Sequence, residues 1–471
     1  MGKYKSLVSN TFVFALSGFG AKLLSFLLLP LLTYLLDPGQ LSLAKTAIYT
    51  CNLILPLMYL CISEAVIRFG LDASTSRKDL FTCGILTVLG GFMVVQLAMP
   101  LMGGVAFVAG FEHLIRIYVL TSAAHTVVTH FVRASGLVRI FAIDGLLTSV
   151  YTLSFIYIFL FRFELGAQGY VLATICADAL SVIGLFLFLK LYRFIKLKKL
   201  NFTLWKTMLK YSIPLVPTSI FWWVTNLSDR YFVITFHGQE INGIYDAAAT
   251  IPMAIVAFSD IFTKAWQISA FSEYGGTKAE RERFYSTVFR SYYTLVFLAA
   301  SGIIMLVRPV TILMMDGKYH EAWQYTPMLV IAVSFSCFVT FLGTVYNAAR
   351  HNAMITVTTF IGAALNILLN WLLIPSYGAQ GAAFATFISY SAVFIIRAVD
   401  SRRYIRINMQ PQRMAMNLAL LLLQVFLLLR PLPLWLLWQI IIFLMLALCN
   451  MGYIMSMAKR FLSMAKSRRR E

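Results

Sequence analysis

The chain has 471 residues, of which 60% are hydrophobic and only 12% carry a formal charge, against roughly 45–50% and 25% in an ordinary soluble domain. No water-soluble core absorbs that much apolar surface, so nearly the whole chain reads as an all-α membrane domain. The net charge of +20 raises nucleic-acid binding as an alternative, and the placement of the basic residues between apolar runs argues against it.

A spanning helix needs about 20 mostly apolar residues, and such runs recur from one end of the chain to the other. The first seven predicted spans cover residues 11–36, 45–63, 80–102, 115–132, 141–161, 168–189 and 211–235. The next seven cover 243–267, 289–307, 325–347, 354–374, 379–397, 414–429 and 434–457. The first run is far longer than a signal-peptide core and is read as a retained helix. Six cysteines fall in or beside apolar runs without CxxC spacing, so neither a metal nor a redox site is expected, and no cofactor is implied.

Lys and Arg concentrate in the short cytoplasmic loops of membrane proteins. With both termini in the cytoplasm, the cytoplasmic segments hold 30 basic residues and the outer segments 6, leaving Lys22, Arg230 and Lys264 inside spans. That asymmetry fixes the expected orientation, and it assigns most of the positive charge to topology and to anionic lipid headgroups.

The basic segment 190–210 divides the chain after the sixth span. It is expected to link an N-terminal six-helix bundle, 1–189, to a C-terminal one, 211–407, with 408–471 supplying two further helices and a basic tail. An internal repeat supports the division. Gly166-Ala167-Gln168-Gly169 opens the sixth span and Gly378-Ala379-Gln380-Gly381 opens the twelfth, each followed at the same offset by Ala-Thr. Parallel repeats with a site between the halves are a known transporter architecture.

Several stretches carry a resemblance: SNTFVFALSGFGAKLLSFLLLPLLTYLLDP at the start, YSIPLVPTSIFWWVTNLSDRYFV, GIYDAAATIPMAI and LNILLNWLLIPSYGAQGAAFATFISY. In this order they resemble the polysaccharide biosynthesis flippases, the oligosaccharide-lipid branch of the multidrug/oligosaccharidyl-lipid/polysaccharide exporter superfamily. The resemblance implies two six-helix bundles that alternate between inward-open and outward-open states around a cationic cavity. It also implies a polyprenyl diphosphate carrying a short oligosaccharide as substrate, a bacterial plasma-membrane location, and glycosyltransferases and a polymerase of the same pathway as partners. The lipid II branch places several arginines in the first two helices, where this chain offers only Lys22 and Arg68.

An ionisable side chain within a span is a functional hypothesis by default. Lys22 either neutralises part of a diphosphate or pairs with Asp144 or Asp178. Trp222 and Trp223 either stack on sugar rings or serve helix packing. Asp229 and Arg230 are adjacent and are not expected to face each other, so one of them, Arg230 in the cationic reading, points to the cavity. Asp260 and Lys264 stand at i and i+4 and are expected to pair, with a possible role in substrate or ion response. Asp246 has no basic residue within a turn on its own helix, and is expected to be the proton-coupling carboxylate ahead of Asp229 and Asp260. His125 and His130 stand about 140° apart on a helix, unlike a zinc pair.

The alternatives are a lipid II flippase or a drug or metabolite antiporter of the same superfamily. An integral-membrane enzyme is disfavoured, since neither large outer loops nor a paired acid and base is found, and without a P-loop motif direct drive by ATP is not expected.

Overall fold

The computed structural model describes residues 26–72, 75–102, 110–196, 200–273, 277–349, 351, 353–430, 432–453 and 455. Lys22 lies outside them, as does the side chain of Lys264. Among the described residues the chain is all helical, with no strand.

The helices are α1 (Phe26–Leu35), α2 (Pro38–Tyr59), α3 (Ile62–Gly70), α4 (Arg77–Met102), α5 (Glu112–Ala134), α6 (Val138–Ile156), α7 (Gly166–Phe188) and α8 (Phe202–Ser212). There follow α9 (Val216–Ala248), α10 (Met253–Glu273), α11 (Lys278–Met314), α12 (Ala322–Ala349), α13 (Ala353–Asp400), α14 (Pro411–Leu429) and α15 (Trp435–Cys449). Among the described residues, eight helical stretches are long and apolar enough to cross a membrane, or nine if one bent pair counts as a single span. The difference from fourteen spans is partly one of continuity. Helix α13 holds the eleventh and twelfth spans, joined at Gly378, and α9 holds the seventh and the start of the eighth, joined at Gly238.

The two Gly-Ala-Gln-Gly segments adopt the same turn. Gly166 has φ +53° and Gly378 has φ +56°, in the left-handed region that only glycine enters without strain. In each, the glutamine reaches back to a backbone carbonyl near the preceding pair of helices: the Gln168 amide donates to Gly110 O at 3.5 Å and the Gln380 amide to Gln324 O at 2.6 Å. The repeated motif is therefore a repeated structure.

The chain divides into two compact units, Met1–Asp246 and Ala247–Glu471. In the first, Phe131 meets Phe81 at a tilt and the half-buried Phe194 edge-on, with Val66, Val127 and Met208 fully buried in the same core. Segment 190–210, read from sequence as a linker, is fastened to α4. Thr82 Oγ1 donates to Phe194 O at 3.2 Å and accepts from the Lys196 amide at 2.9 Å, Lys196 pairs with Asp79 at 3.3 Å, and the Trp205 indole donates to Thr87 at 2.8 Å. It also contains a helix of its own, α8, whose apolar side covers the end of the bundle through Met208.

In the second unit, a polar ladder joins α11 to the α14–α15 hairpin. Thr294, Ser301 and Arg308 recur every seven residues and so lie along one face of α11. Asn417 and Asn450 exchange amide hydrogen bonds beside Thr294. Ser301 donates to the Gln424 side chain at 2.8 Å, and Gln424 returns a bond to Ser301 O at 3.0 Å. Arg308 donates to Leu428 O at 2.7 Å and lies over the rings of Trp323 and Trp435. Without a hydrophobic drive between helices in lipid, such bonds and close packing are what hold spans together. Elsewhere in this unit the buried Arg397 donates to Val339 O at 2.8 Å and Thr358 at 2.9 Å, tying α12 to both arms of α13.

Candidate functional site

The densest cluster of buried charge in the first unit lies where α9 packs on α2. Helix α9 breaks at Gly238, with φ +87°, so that two arms run from the break and both present side chains to α2. Gly243, in the second arm, sits directly against the carbonyl of Pro38, and an added Cβ would overlap it. This close approach places Asn242, Tyr245 and Asp246 beside the first three turns of α2.

Arg230 stands at the centre and is buried with Asp229 and Asp246. Its Nη1 donates to Asp229 Oδ1 at 2.5 Å and to Asn226 O at 2.7 Å, and its Nε donates to Asp246 Oδ1 at 3.2 Å. The second oxygen of Asp229 accepts from Tyr245 at 2.6 Å. Asp246 also accepts from the Tyr49 hydroxyl at 3.0 Å and the Asn242 amide at 3.3 Å, and Lys45 Nζ donates to its backbone carbonyl at 3.1 Å.

Two sequence expectations are corrected here. Asp229 and Arg230 do face each other, because the guanidinium sits at the end of a stem long enough to fold back on the neighbouring carboxylate. Asp246 does have a cation, supplied by the other arm of α9 across the break. Among the described residues, Lys45 and Arg230 match Asp229 and Asp246 in formal charge.

The tryptophans separate. Trp223 is buried and donates its indole N–H to Tyr49 O at 2.9 Å, whereas Trp222 is 61% exposed. Asp260 lies on α10, and its expected pairing with Lys264 falls outside the described side chains. Lys22, the expected diphosphate ligand, also lies outside the described residues.

A second cluster joins α5, α6 and α7. His125 has Nε2 at 3.2 Å from Asp144 Oδ2 and Nδ1 at 3.4 Å from Asp178 Oδ1, and Ser181 donates to the other oxygen of Asp144 at 2.5 Å. His125 thus stands between two carboxylates, one from α6 and one from α7, with Nε2 hydrogen-bonded to Asp144 and Nδ1 near Asp178. Among the described residues no group of three or more His, Cys, Asp or Glu side chains could hold a metal ion. Tyr49, Lys45 and His125 were missed as partners in the sequence, where only the i, i+4 spacing of Lys45 and Tyr49 marked a shared face of α2.

The sequence model of the polysaccharide biosynthesis protein family matches residues 7–266. Two curated relatives are uncharacterized membrane proteins of Methanocaldococcus jannaschii. One is 24% identical over 267 residues, 52% of this chain and 61% of the relative. The other is 28% identical over 107 residues, 22% of this chain and 21% of the relative. The chain thus spans about three fifths of the length of the first.

Among solved structures, the lipid II flippase MurJ in an inward closed conformation aligns with a TM-score of 0.71 at 14% identity, covering 96% of this chain and all of that one. A MATE transporter of Vibrio cholerae aligns with a TM-score of 0.60 at 17% identity, covering 86% of this chain and 99% of that one. An outward-facing MATE family multidrug transporter of the MOP superfamily aligns with a TM-score of 0.62 at 13% identity, covering 84% and 95%. These likenesses show the fold alone, a bundle of membrane helices like theirs. With more than half its length matched by the family model, the chain belongs to the polysaccharide biosynthesis protein family.

Proposed function

We propose that the protein is a flippase that moves a polyprenyl-diphosphate-linked oligosaccharide across a bacterial plasma membrane by alternating access, with both termini in the cytoplasm. Family membership carries this reading. The structural likeness adds to it, since the lipid II flippase aligns over 96% of the chain against 86% for the Vibrio MATE transporter. The two six-helix halves expected from the repeat would be the moving bodies, and glycosyltransferases and a polymerase would supply and consume the substrate.

Because Arg230 is paired with two carboxylates in this conformation, the positive charge for a diphosphate would come from Lys22 and Lys264, with Arg230 joining only if its partners let go. Trp222 is the tryptophan whose ring is free to meet a sugar. Of the carboxylates expected to couple transport to an ion, Asp229 and Asp246 both hold Arg230. The His125–Asp144–Asp178 cluster sets a titratable imidazole between two carboxylates, and we place proton coupling there.

The test is reconstitution in proteoliposomes with a fluorescent polyprenyl-diphosphate oligosaccharide, scoring access of an added glycosidase to the sugar. Protein-dependent transfer is expected. If the lipid stays put while an organic cation is exported against a pH gradient, the drug-antiporter reading replaces this one.

A further inference from the structure

We infer that the corner of the second unit where α11, the start of α14 and the end of α15 meet is a binding site for the phosphate of an anionic phospholipid. Three segments build it. Arg290 and Tyr293 come from α11, Gln410 and Arg413 from the start of α14, and Tyr453 from just past the end of α15. The Asn408 amide donates to Ser286 Oγ at 2.8 Å and the Asn408 side chain accepts from the Gln410 amide at 3.3 Å, which pins the start of α14 to α11.

Two cations converge on this corner without an acid. The Tyr453 hydroxyl donates to Gln410 Oε1 at 2.9 Å and is hydrogen-bonded to Arg290, while the Arg413 guanidinium lies over the Tyr453 ring, 5.0 Å from its centre. Arg290 also directs Nε to Ser286 O at 3.1 Å. Each guanidinium carries five N–H groups, and among the described residues no carboxylate pairs with either. Donors therefore outnumber acceptors. The first amides of α14 add to the excess, since they have no partner within the helix and a helix start favours negative charge.

A second observation points to a ligand. Tyr293 is fully buried, its hydroxyl has no hydrogen-bond partner, and the groups acting on it electrostatically are Tyr453, Arg413 and Arg290. A buried hydroxyl without an acceptor is destabilising, and a phosphate oxygen seated between the two arginines would supply one. Arginine forks match a phosphate bidentately, so the corner suits one headgroup rather than a diffuse cloud of anions.

The surroundings favour a lipid over a soluble phosphate. Met416, Leu448, Met451 and Met455, in the turns next to the corner, are 41–63% exposed and offer acyl chains an apolar surface. In the orientation expected from loop charge, the corner faces the cytoplasm, the side on which anionic lipids gather.

The test is the unfolding temperature of the purified protein in detergent, titrated with phosphatidylglycerol, with phosphatidylcholine of the same acyl chains, or with glycerol phosphate. Only phosphatidylglycerol should raise it, because a ligand that binds the folded state stabilises it by mass action. Arg290→Gln with Arg413→Gln should weaken the apparent lipid affinity on the order of tenfold. Arg406→Gln, which removes an exposed charge from the adjoining loop, should leave it unchanged. Tyr293→Phe should be at least as stable as the parent without lipid and gain less from phosphatidylglycerol, a pattern that loss of a purely structural contact does not give. An equal gain from phosphatidylcholine, a gain that survives the double arginine change, or an equal loss in Arg406→Gln overturns the site. A matching gain from glycerol phosphate overturns the lipid as its ligand. If the double variant does not fold, Tyr293→Phe decides, and an undiminished lipid gain in it counts against the site.

Discussion

Arg230 and Asp246 are 16 residues apart, on opposite sides of the glycine break in one helix, and meet as a buried ion pair at 3.2 Å. The pair ties the two arms of the break at Gly238 together and brings Asp246 under a guanidinium.

Removing the cation should be more damaging than removing the pair. Arg230→Met removes the guanidinium that Asp229 and Asp246 share and should cost about 3–5 kcal/mol of stability. Combining it with Asp246→Asn should recover part of that loss. Chemical unfolding of the purified protein in detergent reads both, and a cost under about 1 kcal/mol for Arg230→Met would show the pair to be dispensable.

Proton coupling should follow the histidine cluster. His125→Gln and Asp178→Asn are expected to abolish the response of lipid transfer to an imposed pH gradient. Asp246→Asn should slow transfer and keep that response. The opposite pattern would return coupling to Asp246.

Cargo recognition should depend on positive charge in the first span. Lys22→Ala is expected to abolish surface polysaccharide in a complementation assay at unchanged protein level, and Lys22→Arg to retain part of it. Full complementation by Lys22→Met would remove Lys22 from substrate binding.

The polar ladder should hold α14–α15 to α11. Gln424→Leu and Asn450→Leu each remove one rung and should cost about 0.6–2 kcal/mol, roughly additively because the rungs are separate. Thermal unfolding of the single and double variants measures this, and a double variant as stable as the parent would deny the ladder its role.

Orientation has its own check. A cysteine at the exposed Lys318 should react with an impermeant thiol reagent in intact cells, and one at the exposed Arg402 should react only after permeabilisation. The reverse pattern would invert the map.

Much of the fold was legible in the sequence because its signals are local. Apolar runs mark the spans, loop charge sets the sides expected for them, and the two Gly-Ala-Gln-Gly segments mark breaks where the first glycine takes a φ near +55°, which glycine adopts at least cost. The all-helical fold follows from the same source, since a chain in lipid must satisfy its backbone within each helix.

The partners of the buried charges were decided by the tertiary structure alone. Spacing along one helix says which residues share a face, and by that rule Asp229 and Arg230 point apart and Asp246 has no cation. It says nothing of a long guanidinium stem folding back, of a second arm returning past a glycine break, or of Tyr49 and Lys45 arriving from about 200 positions earlier in the chain. The same holds for His125 between Asp144 and Asp178. Each cluster is a meeting of side chains from separate helices, and only packing, through close approaches such as Gly243 on Pro38, sets which helices meet and at what height.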